Sequence, residues 1–125
     1  IFPSPQALGL IRDRLSQKKL LEQFAIPTAP FRDVGSLEDL QRATQLWTPL
    51  VLKKRLGGYD GYGTYFVHKP QDLKKYSSLF PDYFIAEQMI PFQRELAVLF
   101  VRSSDGSFLR SPLVETHQQD RRCDI

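Results

Sequence analysis

The run Leu52-Lys53-Lys54-Arg55-Leu56-Gly57-Gly58-Tyr59-Asp60-Gly61-Tyr62-Gly63-Thr64 sets the tightest limit on what this chain can fold into. Four of the seven glycines, Gly57, Gly58, Gly61 and Gly63, fall inside it, directly behind three cations. Glycine adopts backbone angles that other residues avoid and lets a ligand approach the main chain closely. Asp60-Gly61 is also a strong hairpin signal. Strand-like residues flank the run, Pro49 to Arg55 before it and Thr64 to His68 after it. A hairpin is therefore expected on either reading. A two-residue turn needs one or two glycines and this connection has four, so the spacing favours a hairpin that covers phosphates over an idle turn.

Elements on both sides follow from caps and periodicity. Ser4-Pro5 starts a helix whose apolar side runs through Leu8, Ile11, Leu15, Leu20, Leu21 and Phe24. Arg12, Asp13, Arg14, Lys18 and Lys19 read as its solvated face. Pro27 and Pro30 end it and favour an extended segment from Phe31 to Val34. Ser36 caps a second helix with Glu38 and Asp39 in its first turn and Leu37, Leu40, Ala43, Leu46 and Trp47 as its buried stripe. Pro70 to Phe80 reads as a short helix, Tyr83 to Ile90 as a strand, and Arg94 to Arg102 as the clearest strand of all. Asp105-Gly106 then turns the chain into Ser107 to Val114. Tight hairpins among alternating helices and strands predict an α+β layer whose sheet is partly antiparallel.

Strand alternation puts charges on apolar faces. Lys53 shares a face with Val51, Glu87 with Ile85 and Met89, and Glu95 with Ala97, Leu99 and Val101. A buried charge is costly unless it is paired or given a ligand. Either a carboxylate simply pairs with Lys53, or the three together form the floor of a site roofed by the glycine loop. In the second case Lys53 and the loop amides suit phosphates, and Glu87 and Glu95 suit amino or hydroxyl donors such as an adenine and a ribose.

Other chemistries find little support. The chain has no Gly-Lys-Ser/Thr, and Gly61-Tyr62-Gly63-Thr64-Tyr65-Phe66 lacks the third glycine of a dinucleotide fingerprint. His68 and His117 have no partner at ligand spacing, and Cys123 reads as a structural thiol that fits a reducing compartment. With 17 basic and 14 acidic residues the net charge is +3, too balanced to argue for nucleic acid. The longest apolar run, Leu96 to Val101, is far short of the roughly 20 residues of a membrane span. The chain opens on Ile1 and stops at Ile125, which reads as an excised piece of a longer protein.

Asp13-Arg14-Leu15-Ser16-Gln17-Lys18, Ile26-Pro27-Thr28-Ala29-Pro30, Lys53-Lys54-Arg55, Gly58-Tyr59-Asp60-Gly61-Tyr62-Gly63 and Glu87-Gln88 follow one another in this order. Together they resemble the ATP-grasp region of the 5-(carboxyamino)imidazole ribonucleotide synthetases, the ATPase subunits of phosphoribosylaminoimidazole carboxylase, over nearly the whole chain. The glycine loop is the most specific piece of the resemblance. The early Arg-Leu-x-x-Lys element recurs across many ATP-grasp enzymes.

The resemblance implies a partial ATP-grasp fold, mainly the lid subdomain, with antiparallel sheet and helices. Residues 1–48 would be a helical segment leading in, and 49–125 the lid subdomain with the start of the C-terminal half. It implies a cytoplasmic ligase, homodimeric when complete, that carboxylates 5-aminoimidazole ribonucleotide with bicarbonate and ATP in purine biosynthesis. No nucleic-acid or membrane partner is implied. Arg14 and Lys53 would contact ATP phosphates beneath a flexible flap of Gly58, Tyr59, Asp60, Gly61, Tyr62, Gly63 and Thr64. Glu87, Gln88, Met89 and Ile90 would line the adenine, Glu95 would hold the ribose, and Gln118 would stand near the nucleotide where some members have histidine. Tyr62 occupies a position that is often arginine in the family. Carboxylates for Mg2+ are expected downstream of Ile125, so the 125 residues alone are expected not to turn over. The alternatives are another ATP-grasp carboxylate–amine ligase, or a nucleotide-binding module without chemistry.

Overall fold

Four antiparallel strands form the main sheet of a computed structural model that describes residues 3–58, 61–119 and 122–124. They are β1 (Phe31–Val34), β2 (Leu50–Lys54), β3 (Thr64–Val67) and β4 (Phe84–Gln88), in spatial order β1-β4-β2-β3. The two central strands are thus the ones that carry Lys53 and Glu87. Registers of Val51 opposite Glu87, Lys53 opposite Ile85 and Phe31 opposite Glu87 put these residues on one face of the sheet.

The opposite face makes the core. Leu50, Leu52, Phe84, Ala86, Val34 and Val67 have essentially no exposure there. Helix α3 (Leu37–Leu46) packs on them through Leu40 and Ala43, and Trp47, Leu73, Tyr76 and Phe80 close the margin. The Phe84 ring meets Tyr65 and Phe80 edge-on at 6.1 and 5.7 Å. Ser36 caps α3 by accepting from the Asp39 amide at 3.1 Å, as its sequence position predicts. Leu37 and Leu46, assigned to the buried stripe, are exposed, because the face that meets the sheet is narrower than the apolar run. Pro70–Leu79 is a 3₁₀ helix whose Tyr76 hydroxyl donates to the Phe66 carbonyl at 2.7 Å.

The N-terminal helix is two helices, α1 (Pro5–Arg12) and α2 (Arg14–Gln23). Asp13 breaks the run with extended angles (φ −101°, ψ 114°) and caps α2, accepting from the Leu15 amide at 3.0 Å. Leu8 and Ile11 of α1, together with Phe24, are exposed, whereas Leu15 is buried.

By compactness the chain divides into residues 1–90 and 91–125. In the second unit β5 (Glu95–Ala97) pairs with β7 (Phe108–Arg110)'s successor β8 (Val114–Gln119), and β8 pairs with β9 (Arg122–Asp124). Strand β6 (Phe100–Arg102) pairs with β7 alone. The strand expected from Arg94 to Arg102 is therefore cut after Ala97, and its apolar residues serve two different sheets. Alternation reports an extended backbone but not which strand it pairs with. The Asp105-Gly106 turn closes the β6–β7 hairpin as expected, with Gly106 at φ +86°.

Leu52→Ala should destabilise the protein by about 2–5 kcal/mol, since a wholly buried leucine leaves a cavity. Leu56→Ala, at a half-exposed position, should stay within about 0.5 kcal/mol. Urea denaturation midpoints at constant slope check the contrast.

Candidate functional site

Glu87 is buried to 7% exposure on the sheet face opposite the core. Its Oε2 accepts from Lys53 Nζ at 2.8 Å, and its Oε1 lies 3.2 Å from Lys18 Nζ. Lys18 reaches over from α2, also donates to Thr28 Oγ1 at 2.6 Å, and lies 5.8 Å from the Phe31 ring centroid. Two ammonium groups against one carboxylate leave this cluster with a net charge of about +1, in surroundings where charge is screened less than in water. Pairing of Glu87 with Lys53, the simpler of the two readings of the strand pattern, is thus what the structure shows. The pairing still leaves a surplus cation on that face.

Lys18 and Arg14 are not solvated, contrary to expectation. They stand four residues apart on α2 and flank the buried Leu15, so one helical face presents both cations to the sheet. The Arg14 amide donates to the Arg55 carbonyl at 3.1 Å, and its Nη1 to the Lys54 carbonyl at 2.9 Å. Lys18 thus joins the Glu87 cluster, which the reading of a solvated face did not foresee; the i, i+4 spacing with Arg14 beside an apolar residue is the signal the sequence offers.

The loop between β2 and β3 runs from Arg55 to Gly63, longer than the two-residue turn that Asp60-Gly61 would allow alone. Its glycines have separate structural causes. A Cβ on Gly58 would lie 2.6 Å from Arg14 Nη1, so the guanidinium sits where a side chain would be. Gly63 has φ +76°, and a Cβ there would meet Lys54 Cβ at 2.9 Å, while its carbonyl accepts from the Lys54 amide at 2.7 Å. Gly57 and Gly61 also have positive φ. Thr64 pairs opposite Lys53, and Tyr62 is 65% exposed. Tyr59 and Asp60 lie outside the described residues. A cleft of about 440 Å³ opens at the root of the loop, lined by Ile11, Arg12, Arg14, Gln17, Gly57 and Gly58.

Gln88 ends β4, where its amide donates to the Pro30 carbonyl at 2.9 Å; the Met89 amide donates to Pro49, and Ile90 is exposed. Glu95 belongs to the second unit, where its Oε1 accepts from the buried Thr116 hydroxyl at 3.2 Å. The structure therefore puts Lys53 and Glu87 in one sheet and Glu95 in another, and its apolar companions Leu99 and Val101 are exposed. Gln118 is placed by its backbone in β8, opposite Cys123. Among the described residues, no group of three or more His, Cys, Asp or Glu is placed to hold a metal ion, and no helix is long and apolar enough to cross a membrane.

An antiparallel sheet with Lys53, Lys18 and Glu87 clustered on one face, and with two of its strands joined by a glycine-rich loop, matches a known class of domain. Residues 19–125 match the ATP-grasp domain, and the chain belongs to the ATP-grasp family. It is 36% identical over 123 residues to an N5-carboxyaminoimidazole ribonucleotide synthase of Synechococcus elongatus, covering 97% of this chain and 31% of that protein. It superposes with TM-score 0.89 on the Aspergillus clavatus carboxyaminoimidazole ribonucleotide synthase complexed with ATP, at 34% identity over 97% of this chain and 32% of the other. The complex of the synthase from A. clavatus with ADP and 5-aminoimidazole ribonucleotide gives TM-score 0.83 at 32% identity, again covering 97% and 32% of the two chains. The chain thus spans about a third of the length of these relatives.

Asp13, paired with Arg55, makes an acid-sensitive contribution to stability. Hydrogen bonds from the Arg55 side chain lead the causes that hold its pKa down at about 2, outweighing the opposing effect of burial. A depressed carboxyl pKa contributes stability that is complete above the unfolded value near 3.8 and is lost as pH falls towards 2. At about 1.4 kcal/mol per pKa unit, the contribution is on the order of 2 kcal/mol. Asp13→Asn should therefore flatten the loss of stability between pH 4 and pH 2 while lowering stability at neutral pH, as followed by denaturation at each pH.

Proposed function

We propose that this chain is the ATP-binding part of a ligase that carboxylates 5-aminoimidazole ribonucleotide with bicarbonate and ATP in de novo purine biosynthesis. The observation that carries the reading is the cation arrangement: the surplus charge of Lys53 and Lys18 around Glu87, and Arg14 packed on Gly58 in a cleft at the loop root. The relatives' names and bound ligands supply the acceptor.

On this reading Lys53 and Arg14 hold ATP phosphates, and Gly58, Tyr59, Asp60, Gly61, Tyr62, Gly63 and Thr64 fold over them, with main-chain amides supplying donors. Glu87, Gln88, Met89 and Ile90 line the adenine. Glu87 has a second task, because a carboxylate shared by two lysines holds both ammonium groups in place while Lys53 retains attraction for an anion. Glu95 holds the ribose, and Gln118 stands near the nucleotide. A bicarbonate oxygen attacks the γ-phosphorus of ATP, forming carboxyphosphate as the bond to the bridging oxygen breaks and ADP leaves. The step needs water kept out and the phosphoryl group kept in line, and a closing glycine loop does both. On this reading the carboxylates that hold Mg2+ belong to the rest of the ligase. The complete ligase is a cytoplasmic homodimer on the same reading, and the 125 residues alone release no phosphate.

The test uses the complete ligase that carries this segment. Phosphate release should require bicarbonate and 5-aminoimidazole ribonucleotide, and Lys53→Met should raise the ATP dissociation constant by tenfold or more, a loss of at least about 1.4 kcal/mol. Equal release with glycinamide ribonucleotide as acceptor would point to a different carboxylate–amine ligase. ATP binding that needs Lys53 but brings no release with either acceptor would leave a nucleotide-binding module.

A further inference from the structure

Arg55 is the first residue after β2, and its side chain turns away from the glycine loop towards α2. Nε donates to Asp13 Oδ1 at 3.0 Å and Nη2 to Oδ2 at 2.5 Å, a two-pronged pair, while Nη1 reaches Asp33 Oδ1 at 3.4 Å. The guanidinium also lies 5.9 Å from the Tyr83 ring centroid. Its main chain is tied at both ends: the amide donates to the Tyr83 carbonyl at 3.0 Å, and the carbonyl accepts from the Arg14 amide at 3.1 Å. Asp13 in turn caps α2 through the Leu15 amide and accepts from Ser16 Oγ at 3.1 Å. The next residue, Arg14, therefore begins its helix where Arg55 fixes the cap.

The two arginines differ in what neutralises them. Arg55 faces two carboxylates, so its charge is compensated on the spot and it is a poor anion ligand. Arg14 donates to a neutral carbonyl, that of Lys54, and lies against Gly58. Its position is constrained from the backbone side by Arg55 and from the other by the loop. We infer that Arg55 and Asp13 form a positioning pair that sets the Arg14 guanidinium at the root of the glycine loop, and thereby governs affinity for a nucleoside triphosphate without touching it. This inference rests on the assignment of Arg14 to the ATP phosphates. The pair acts as a unit. Removing either partner leaves the first turn of α2 held to the end of β2 without the side-chain clamp, by the Arg14 amide on the Arg55 carbonyl and the Arg14 guanidinium on the Lys54 carbonyl. Removing the second after the first changes little.

The experiment is steady-state kinetics and calorimetric ATP binding on the complete ligase carrying Arg14→Gln, Arg55→Gln, Arg55→Lys, Asp13→Asn and the pairwise combinations. Asparagine caps a helix as well as aspartate does, so Asp13→Asn removes the charge pairing and spares the cap. Arg55→Gln and Asp13→Asn should each raise the KM for ATP by about tenfold with a smaller change in kcat, and the double variant should be no worse than either. Arg55→Lys, which keeps one charged hydrogen bond, should recover part of the loss. Arg14→Gln should weaken ATP binding less in the Arg55→Gln background than in the native one. A fall in Tm with an unchanged KM for both Arg55→Gln and Asp13→Asn would overturn the inference in favour of a merely structural pair. An Arg55→Gln loss far larger than that of Asp13→Asn and additive with it would overturn it in favour of direct contact. If Arg14→Gln leaves ATP affinity intact, the phosphate assignment itself falls, and the positioning role falls with it.

Discussion

A carboxylate that is almost wholly out of water must be met by positive charge, and Glu87 is met twice. Its desolvation makes the arrangement a weak source of net stability, because the attraction between such charges is largely spent on taking them out of water. What it supplies is geometry. One lysine comes from the neighbouring strand and fixes nothing that the sheet register has not already fixed. The other comes from α2, so the helix must lie where Lys18 can reach the sheet face. Placement of α2 then carries Arg14 to the end of β2, where it meets the Lys54 and Arg55 carbonyls. Without the buried charge, that helix would have only Leu15 as a buried apolar contact.

The core needs no such device. Leu50, Leu52, Phe84 and Ala86 alternate out of step with Lys53 and Glu87, so the same period of two that buries one face of the sheet delivers charge to the other. The helix α3 and the 3₁₀ helix cover the apolar side, and the face bearing Lys53 and Glu87 is left to the polar end of α2. The apolar core and the ion cluster thereby lie on opposite faces of the same two central strands, with Ile85 buried beside the charges.

Much of this was legible from the chain alone, because the signals were local. The strands around the glycine loop, the Ser36 cap and the Asp105-Gly106 turn depend on residues a few positions apart. The Lys53 and Glu87 alternation worked because both strands are central in one sheet. The same reasoning linked Glu95 to them, although the structure gives it to a different sheet; alternation along one strand says nothing about its partner. Arg14 and Lys18 were read as solvent-facing, since a charged helical face usually is, and the partners that hold them, Lys54 and Glu87, lie about 40 and about 70 residues further along. The break at Asp13 was hidden for a similar reason. Asp13 suits a helix cap, but what holds it there is Arg55, and that distance in sequence cannot be read by periodicity. The family resemblance supplied Arg14 where residue-by-residue reading did not.

The pinched neck of the glycine loop, with the Gly63 carbonyl on the Lys54 amide and no room for a side chain between them, separates two free-energy terms. Closing the loop costs entropy once, at the neck, where the sheet's own hydrogen bonding offsets it. Strand register is set at the neck and below it, by Lys53 opposite Thr64 and Leu52 opposite Tyr65, so changes in loop length are felt as closure entropy rather than as lost sheet pairing.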